Sequence, residues 1–147
     1  MLKHWLTGAL LLWVSMAPGG LWAQNDSPPA DPGVAIRSSG PLRLSNAVIC
    51  ESLEAFKPLN PSAVFSVRVG SVMCFTAFDQ VPQRTSIFHD WIRQDKLVFR
   101  KKLVLKTPRW SSVSSIQLRE ADIGPWRVEI RTTDGEILRI LRFSITN

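Results

Sequence analysis

Residues 126–145 read WRVEIRTTDGEILRILRFSI. Trp126, Val128 and Ile130 alternate with Arg127, Glu129 and Arg131, the period-two pattern of a strand with one face on a core and the other in water. Asp134-Gly135 follows, and apolar residues resume over 137–145. Asp-Gly between two such runs is the strongest short-range signal for a β-hairpin, because both central turn positions need a positive φ that these residues tolerate. The stretch therefore predicts two antiparallel strands, with Trp126, Val128 and Ile130 facing inward.

The same alternation extends back along the chain. Over 64–69, Phe65, Val67 and Val69 oppose Ser66 and Arg68; over 86–92, Ile87, His89 and Trp91 oppose Phe88, Asp90 and Ile92. The second run is apolar on both faces, which predicts a central strand. Further strands are predicted over 42–50, 72–78, 97–106 and 110–118, separated by Pro- or Gly-marked breaks. No segment longer than about ten residues keeps a helical period, although 52–56 is compatible with one helical turn. The expected fold is all-β: a single antiparallel β-sandwich of immunoglobulin-like type with about seven or eight strands. A closed small barrel is the alternative.

Composition sets the outer limits. The chain has 147 residues, 45% hydrophobic and 20% charged, which is too apolar for a disordered protein and long enough for one ordinary domain. That excludes a multi-domain enzyme. Two His and two Cys cannot by themselves complete a four-ligand zinc site, and no Gly-rich phosphate loop is present. No cofactor or metal is expected.

The first segment, MLKHWLTGALLLWVSMAPGGLWA over 1–23, has the order of a secretory signal peptide. Lys3 supplies the positive start, an apolar stretch follows, and Pro18-Gly19-Gly20 breaks the helix before Ala23. The apolar stretch is shorter than the ~20 residues a helix needs to cross a bilayer, so no stable transmembrane span is expected after cleavage; an uncleaved anchor is the alternative. Gln24 and not a Cys stands directly after Ala23, which leaves no lipid-attachment signal. Residues 24–40, QNDSPPADPGVAIRSSG, are Pro-rich and poor in apolar groups, the composition of a flexible linker. The β-sandwich domain is then 41–147, and the expected location is periplasmic or secreted. Export removes nucleic acid as a partner.

Cys50 and Cys74 are the only cysteines. In an oxidising compartment they are expected to form a disulfide, the other reading being two buried thiols. A Ser-His-Asp hydrolase would need a carboxylate on His89, and Asp90 lies on the opposite face of its strand; catalysis is not expected. The ligand-binding candidates are His89, Trp91, Arg109, Trp110 and Ser112, because aromatic rings, a guanidinium and an imidazole recognise sugar faces, carboxylates and peptide side chains. The alternative is that these Trp residues fill the core. Of the three Trp in the domain, Trp126 opens a strand that continues as Val128 and Ile130 and is expected inside. Trp110 opens a serine-rich strand and is expected to be the most exposed.

Charge is concentrated. Between Arg84 and Arg109 there are eight basic and two acidic residues, a net +6 equal to that of the whole chain. The remainder is therefore near neutral. A basic patch is expected at Arg93, Lys96, Arg100, Lys101 and Lys102. Arg100-Lys101-Lys102 points charge to both faces of one strand, as on an edge that discourages edge-to-edge pairing.

The order His89-x-Trp91, Arg109-x-x-Ser112, Gly124-x-Trp126-x-Val128, Asp134-Gly135 and Phe143-x-Ile145, with Cys74-Phe75-Thr76 before it, resembles a bacterial family catalogued as domain of unknown function 2914. The resemblance spans about 44–145. It implies a small domain of bacterial envelope or secreted proteins, sometimes appended to membrane segments, with no established activity, substrate or cofactor. It marks His89, Trp91, Arg109, Ser112, Gly124 and Trp126 as positions to examine. The leading functional expectation is a non-catalytic exported domain binding a cell-envelope component, either a protein or an anionic glycan or cell-wall polymer. A hydrolase using His89 as base and a purely structural interaction domain are the alternatives.

The leader yields the first prediction. Mass spectrometry of the exported protein should find Gln24 as the first residue and no lipid; protein retained in the inner membrane with Met1 intact would overturn the signal-peptide reading.

Overall fold

The computed structural model describes residues 40–147; the expected signal peptide over 1–23, and the linker up to residue 39, lie outside the described residues. Ten strands follow in chain order: β1 (Arg43–Cys50), β2 (Ser52–Glu54), β3 (Lys57–Leu59), β4 (Val64–Ser66), β5 (Ser71–Gln80), β6 (Thr85–Arg93), β7 (Lys96–Leu105), β8 (Trp110–Gln117), β9 (Gly124–Thr132) and β10 (Ile137–Thr146). One sheet has the order β1-β5-β8, a second β4-β10-β9-β6-β7, and β2-β3 is a separate hairpin. The two larger sheets meet face to face over a shared interior, and no ladder joins them. The molecule is an all-β sandwich and not a closed barrel. Pairing is antiparallel except between β4 and β10.

The expected β9–β10 hairpin forms, but Thr133 and Asp134 are its central residues and only Gly135, after them, has a positive φ (+89°); the Thr132 amide and carbonyl close the turn through Glu136 and Gly135. β6 lies between β9 and β7, the central position its two apolar faces required. Two short strands, β2 and β3, raise the count above the seven or eight expected. The run 64–69 is also not one strand: after Ser66 the chain turns through a 3-10 segment, Val67–Val69, capped by the Ser66 hydroxyl accepting from the Arg68 amide and ended by Gly70 at φ +78°. The reason is topological, since β4 pairs in the five-stranded sheet and β5 in the three-stranded one, so the chain must change layers there. Residues 52–56 form no helical turn; they are β2 and the tip of its hairpin, with Ala55 and Phe56 at positive φ.

Inward-facing side chains form two apolar clusters. One gathers Ile49, Phe65, Val72, Cys74, Trp91, Trp126, Val128, Phe143 and Ile145; the other gathers Ala47, Phe78, Val81, Ile87, Leu105 and Ile130. Phe143 is the hub of the first: Phe65 and Trp91 meet its ring edge-on with centroids 6.1 and 6.0 Å away, and Trp126 stacks on it at 6.3 Å. These are favourable arrangements for aromatic quadrupoles.

The two cysteines are free, buried thiols, in place of the disulfide expected between them. The ladder gives the reason. Cys74 pairs with Ile49 and Cys50 with Met73, and residues paired across a ladder share a face. Cys74 therefore enters the core with Ile49, whereas Cys50 belongs to the opposite face, against the β3 backbone at Leu59. Burial raises both thiol pKa values, which keeps them protonated and unreactive.

Trp126 tests the packing. Its ring is buried and its indole N–H donates to the Asp122 carbonyl at 2.7 Å, so Trp126→Ala should cost about 3 to 5 kcal/mol in urea unfolding. Trp110→Ala, at a half-buried position, should cost clearly less; equal losses would contradict this account of the core.

Candidate functional site

His89 and Trp91 come from the inward face of β6 and are both fully buried, so neither forms part of a surface platform. They end in a chain of hydrogen bonds that crosses from one sheet to the other. The Trp91 indole N–H donates to Ser114 Oγ at 3.0 Å, and the Ser114 hydroxyl donates to His89 Nδ1 at 2.8 Å. His89 Nε2–H then donates to Thr76 Oγ1 at 3.3 Å, whose hydroxyl donates to the Ser112 carbonyl at 3.4 Å. The Nε2–H tautomer is assigned because it gives every donor in the chain an acceptor. Burial pushes the His89 pKa down to about 4, against a smaller upward pull from Asp90. The imidazole is neutral at physiological pH and has no carboxylate partner. Ser112 contributes its backbone carbonyl to this chain; its neighbour Ser114, which the sequence reading passed over, supplies the hydroxyl.

Asp90 faces the other way, as the alternation required. On the outer face of the five-stranded sheet it accepts both arms of Arg100, each at 2.6 Å, with Arg131 at 3.5 Å. Arg131 also bonds Glu129, and Glu129 accepts from Arg127 Nε at 2.8 Å. Arg127 reaches Asp95 at 2.6 Å. The Arg127 guanidinium, helped by Arg131, holds the Glu129 carboxyl below its ordinary pKa. This alternating row was readable as Arg127-x-Glu129-x-Arg131, but its pairing with Asp90 needed the β6–β9 register.

Arg109 and Trp110 are separate from His89. With Ser45, Phe56, Phe78 and Asp79 they line a shallow groove of about 530 Å³. Trp110 is half-buried against the second cluster, and the Lys106 ammonium stands 5.0 Å from its ring. Phe56, at the tip of the β2–β3 hairpin, is 66% exposed and was not anticipated, since its hairpin lacks the glycine that usually marks such a turn.

The expected basic patch divides. Arg93 turns inward, its guanidinium 5.9 Å from the Trp126 ring and donating to the Ile123 carbonyl at 3.2 Å. Arg100 and Lys102 occupy the outer face, with Arg100 also 5.0 Å over the Phe88 ring. Lys101 pairs with His89 and Phe99 with Trp91, so both belong to the core-facing side, at its open margin. β7, which carries these residues, is the last strand of its sheet, and eight of its ten residues are exposed. Among the exposed ones are the large apolar Leu97, Val98, Phe99 and Val104. Across the flank lies β8, the edge strand of the other sheet. Two clefts of about 320 and 240 Å³ run between the two edges and share Phe99 and Ser115. No group of three or more His, Cys, Asp or Glu residues is placed to hold a metal ion among the described residues.

Residues 84–145 match the family model described as Protein of unknown function (DUF2914), which supports the resemblance read from the sequence. The matched segment covers β6–β9 and most of β10, with the buried histidine and the basic edge strand; Cys74-Phe75-Thr76 falls before it. No curated protein matches the chain.

The buried imidazole makes stability depend on pH. With a folded pKa of about 4 against an unfolded ~6.5, the proton binds the unfolded chain first, so stability is complete above pH 6.5 and declines as pH falls toward 4. Between pH 7.5 and 5 the loss in urea unfolding should be about 2 kcal/mol, a range in which Glu129, with its lowered pKa, stays ionised. His89→Gln should flatten that slope. A wild-type stability unchanged over this interval would contradict the neutral buried imidazole.

Proposed function

We propose that this is a non-catalytic binding domain of an exported, periplasmic or secreted protein, and that it holds an anionic cell-envelope component on its basic edge strand, β7. The component is a protein, a polysaccharide or a cell-wall polymer. The observation that carries the reading is the surface of β7, where Leu97 and Val98 are 51% and 57% exposed between Lys96, Arg100, Lys101 and Lys102. Exposed apolar groups flanked by the exposed ammonium groups of Lys96, Lys101 and Lys102, with Arg100 held by Asp90, mark an interaction surface more than a solvated face. The charges attract an anionic partner over a range set by the salt concentration. The leader-like sequence over 1–23 supports export.

The buried state of His89 favours this reading over hydrolysis. Ser114 lies within hydrogen-bond reach of the imidazole, but a histidine with a pKa of about 4 and no orienting carboxylate is a weak general base at neutral pH.

Lys101→Glu/Lys102→Glu tests the assignment, because both side chains are exposed and reversing them leaves the Arg100–Asp90 pair intact. The double variant should unfold in urea within about 0.5 kcal/mol of wild type and bind envelope-fraction components about tenfold more weakly at low salt. Equal retention by the two proteins, or none by wild type, would overturn the reading.

A further inference from the structure

The edge of β7 is both inviting and guarded. Beyond it lie unpaired backbone groups, the feature by which one sheet recruits another strand. Edge strands are commonly protected by charge alone, and the inward-side Lys101 together with Arg100 and Lys102 would serve that end. Protection does not account for Leu97, Val98, Phe99 and Val104 on the same strand, nor for the paired clefts along the flank.

The geometry points to strand addition: we infer that β7 takes up an extended, acidic polypeptide segment of a partner protein as a sixth strand of its sheet. This rests on the proposed binding role of β7 and specifies its partner. An added strand would present alternate side chains to the two faces. Those on the inner side would enter the clefts between Phe99 and Ser115–Ile116, beside Lys101; those on the outer side would stand opposite Lys102 and next to the Arg100 that Asp90 already holds. Apolar residues suit the first set and carboxylates the second, so the segment should alternate apolar and acidic residues. Backbone hydrogen bonds would supply affinity, and the alternating side chains specificity. A second copy of this chain is disfavoured as the occupant, because two edges each carrying Lys96, Arg100, Lys101 and Lys102 repel at close approach. The charge that keeps copies apart is the charge that selects an acidic strand.

The test uses the mature chain from Gln24 and three probes: a synthetic peptide of about ten residues alternating Val and Glu, the same peptide N-methylated at alternate residues, and dextran sulfate. The parent peptide should bind, slow hydrogen exchange of amides within Lys96–Leu105, and bind about tenfold more weakly both when N-methylated on its ladder-forming edge and with Lys101→Glu/Lys102→Glu. N-methylation should be made in both alternations, since one of them leaves the pairing edge free. If neither alternation weakens binding, or if dextran sulfate binds while the parent peptide does not, strand addition is overturned and the basic-surface reading stands. If none of the three binds, both fail. Concentration-dependent dimerisation that protects the same amides without peptide would make a second copy the occupant and overturn the acidic-partner assignment.

Discussion

The interior depends on a polar seam. His89 lies between Trp91 and Ile87 on β6, and Thr76 between Cys74 and Phe78 on β5; each flanking pair belongs one to each apolar cluster. On β8, Ser112 and Ser114 lie between Trp110 and Ile116. The hydrogen-bonded chain from Trp91 to the Ser112 carbonyl thus runs through the middle of the sandwich and divides its core. A buried polar group without a partner costs more than the bond itself contributes, so the seam constrains alignment more than it adds stability. Sliding β8 by two residues keeps its inward face but replaces Ser114 with Ser112 or Ile116, leaving the imidazole badly matched. The serines that give β8 an ambiguous sequence are fixed in register by one histidine.

The outer face has its own constraint. Asp90 and Glu129 are nearly inaccessible and sit opposite each other on β6 and β9, an arrangement that repels unless cations intervene. Arg100, Arg127 and Arg131 do so. Such pairs are costly to break because the orphaned charge stays buried, and they tie β7, β6 and β9 together on the side opposite the seam. Much of the sequence's basic excess is therefore structural in part, and the cations left for a partner are chiefly Lys96, Lys101 and Lys102.

Legibility in the sequence followed the range of the interactions. The β9–β10 hairpin, the central position of β6 and the inward Trp126 are local statements about alternation and one Asp-Gly turn, and these are what the structure contains. The switch of layers at Ser66–Ser71 was hidden because Val67 and Val69 continue a strand-like alternation through a 3-10 turn. The β2–β3 hairpin was hidden because Ala55 and Phe56 adopt positive φ without a glycine. Cys50 and Cys74 required the β1–β5 register to show that they face apart. His89 and Trp91 were singled out as binding groups on their chemistry; that chemistry is used, but inside the core. Arg109 and Trp110 do share a groove, completed by Phe56 from a hairpin that nothing in their own neighbourhood announced.

β10 lies between β9 and β4, so the strand latest in the chain is an interior member of the larger sheet. While a chain is delivered from its N-terminal end, β4 has no partner strand and β9 keeps an open edge until β10 arrives. Phe143, on which Phe65, Trp91 and Trp126 converge, arrives with it. The aromatic centre is therefore assembled by contacts distant in sequence, and closing such contacts is slow compared with local structure. A chain with this order stays incompletely folded for as long as β10 is withheld, and its aromatic centre forms only when that strand docks between its two neighbours.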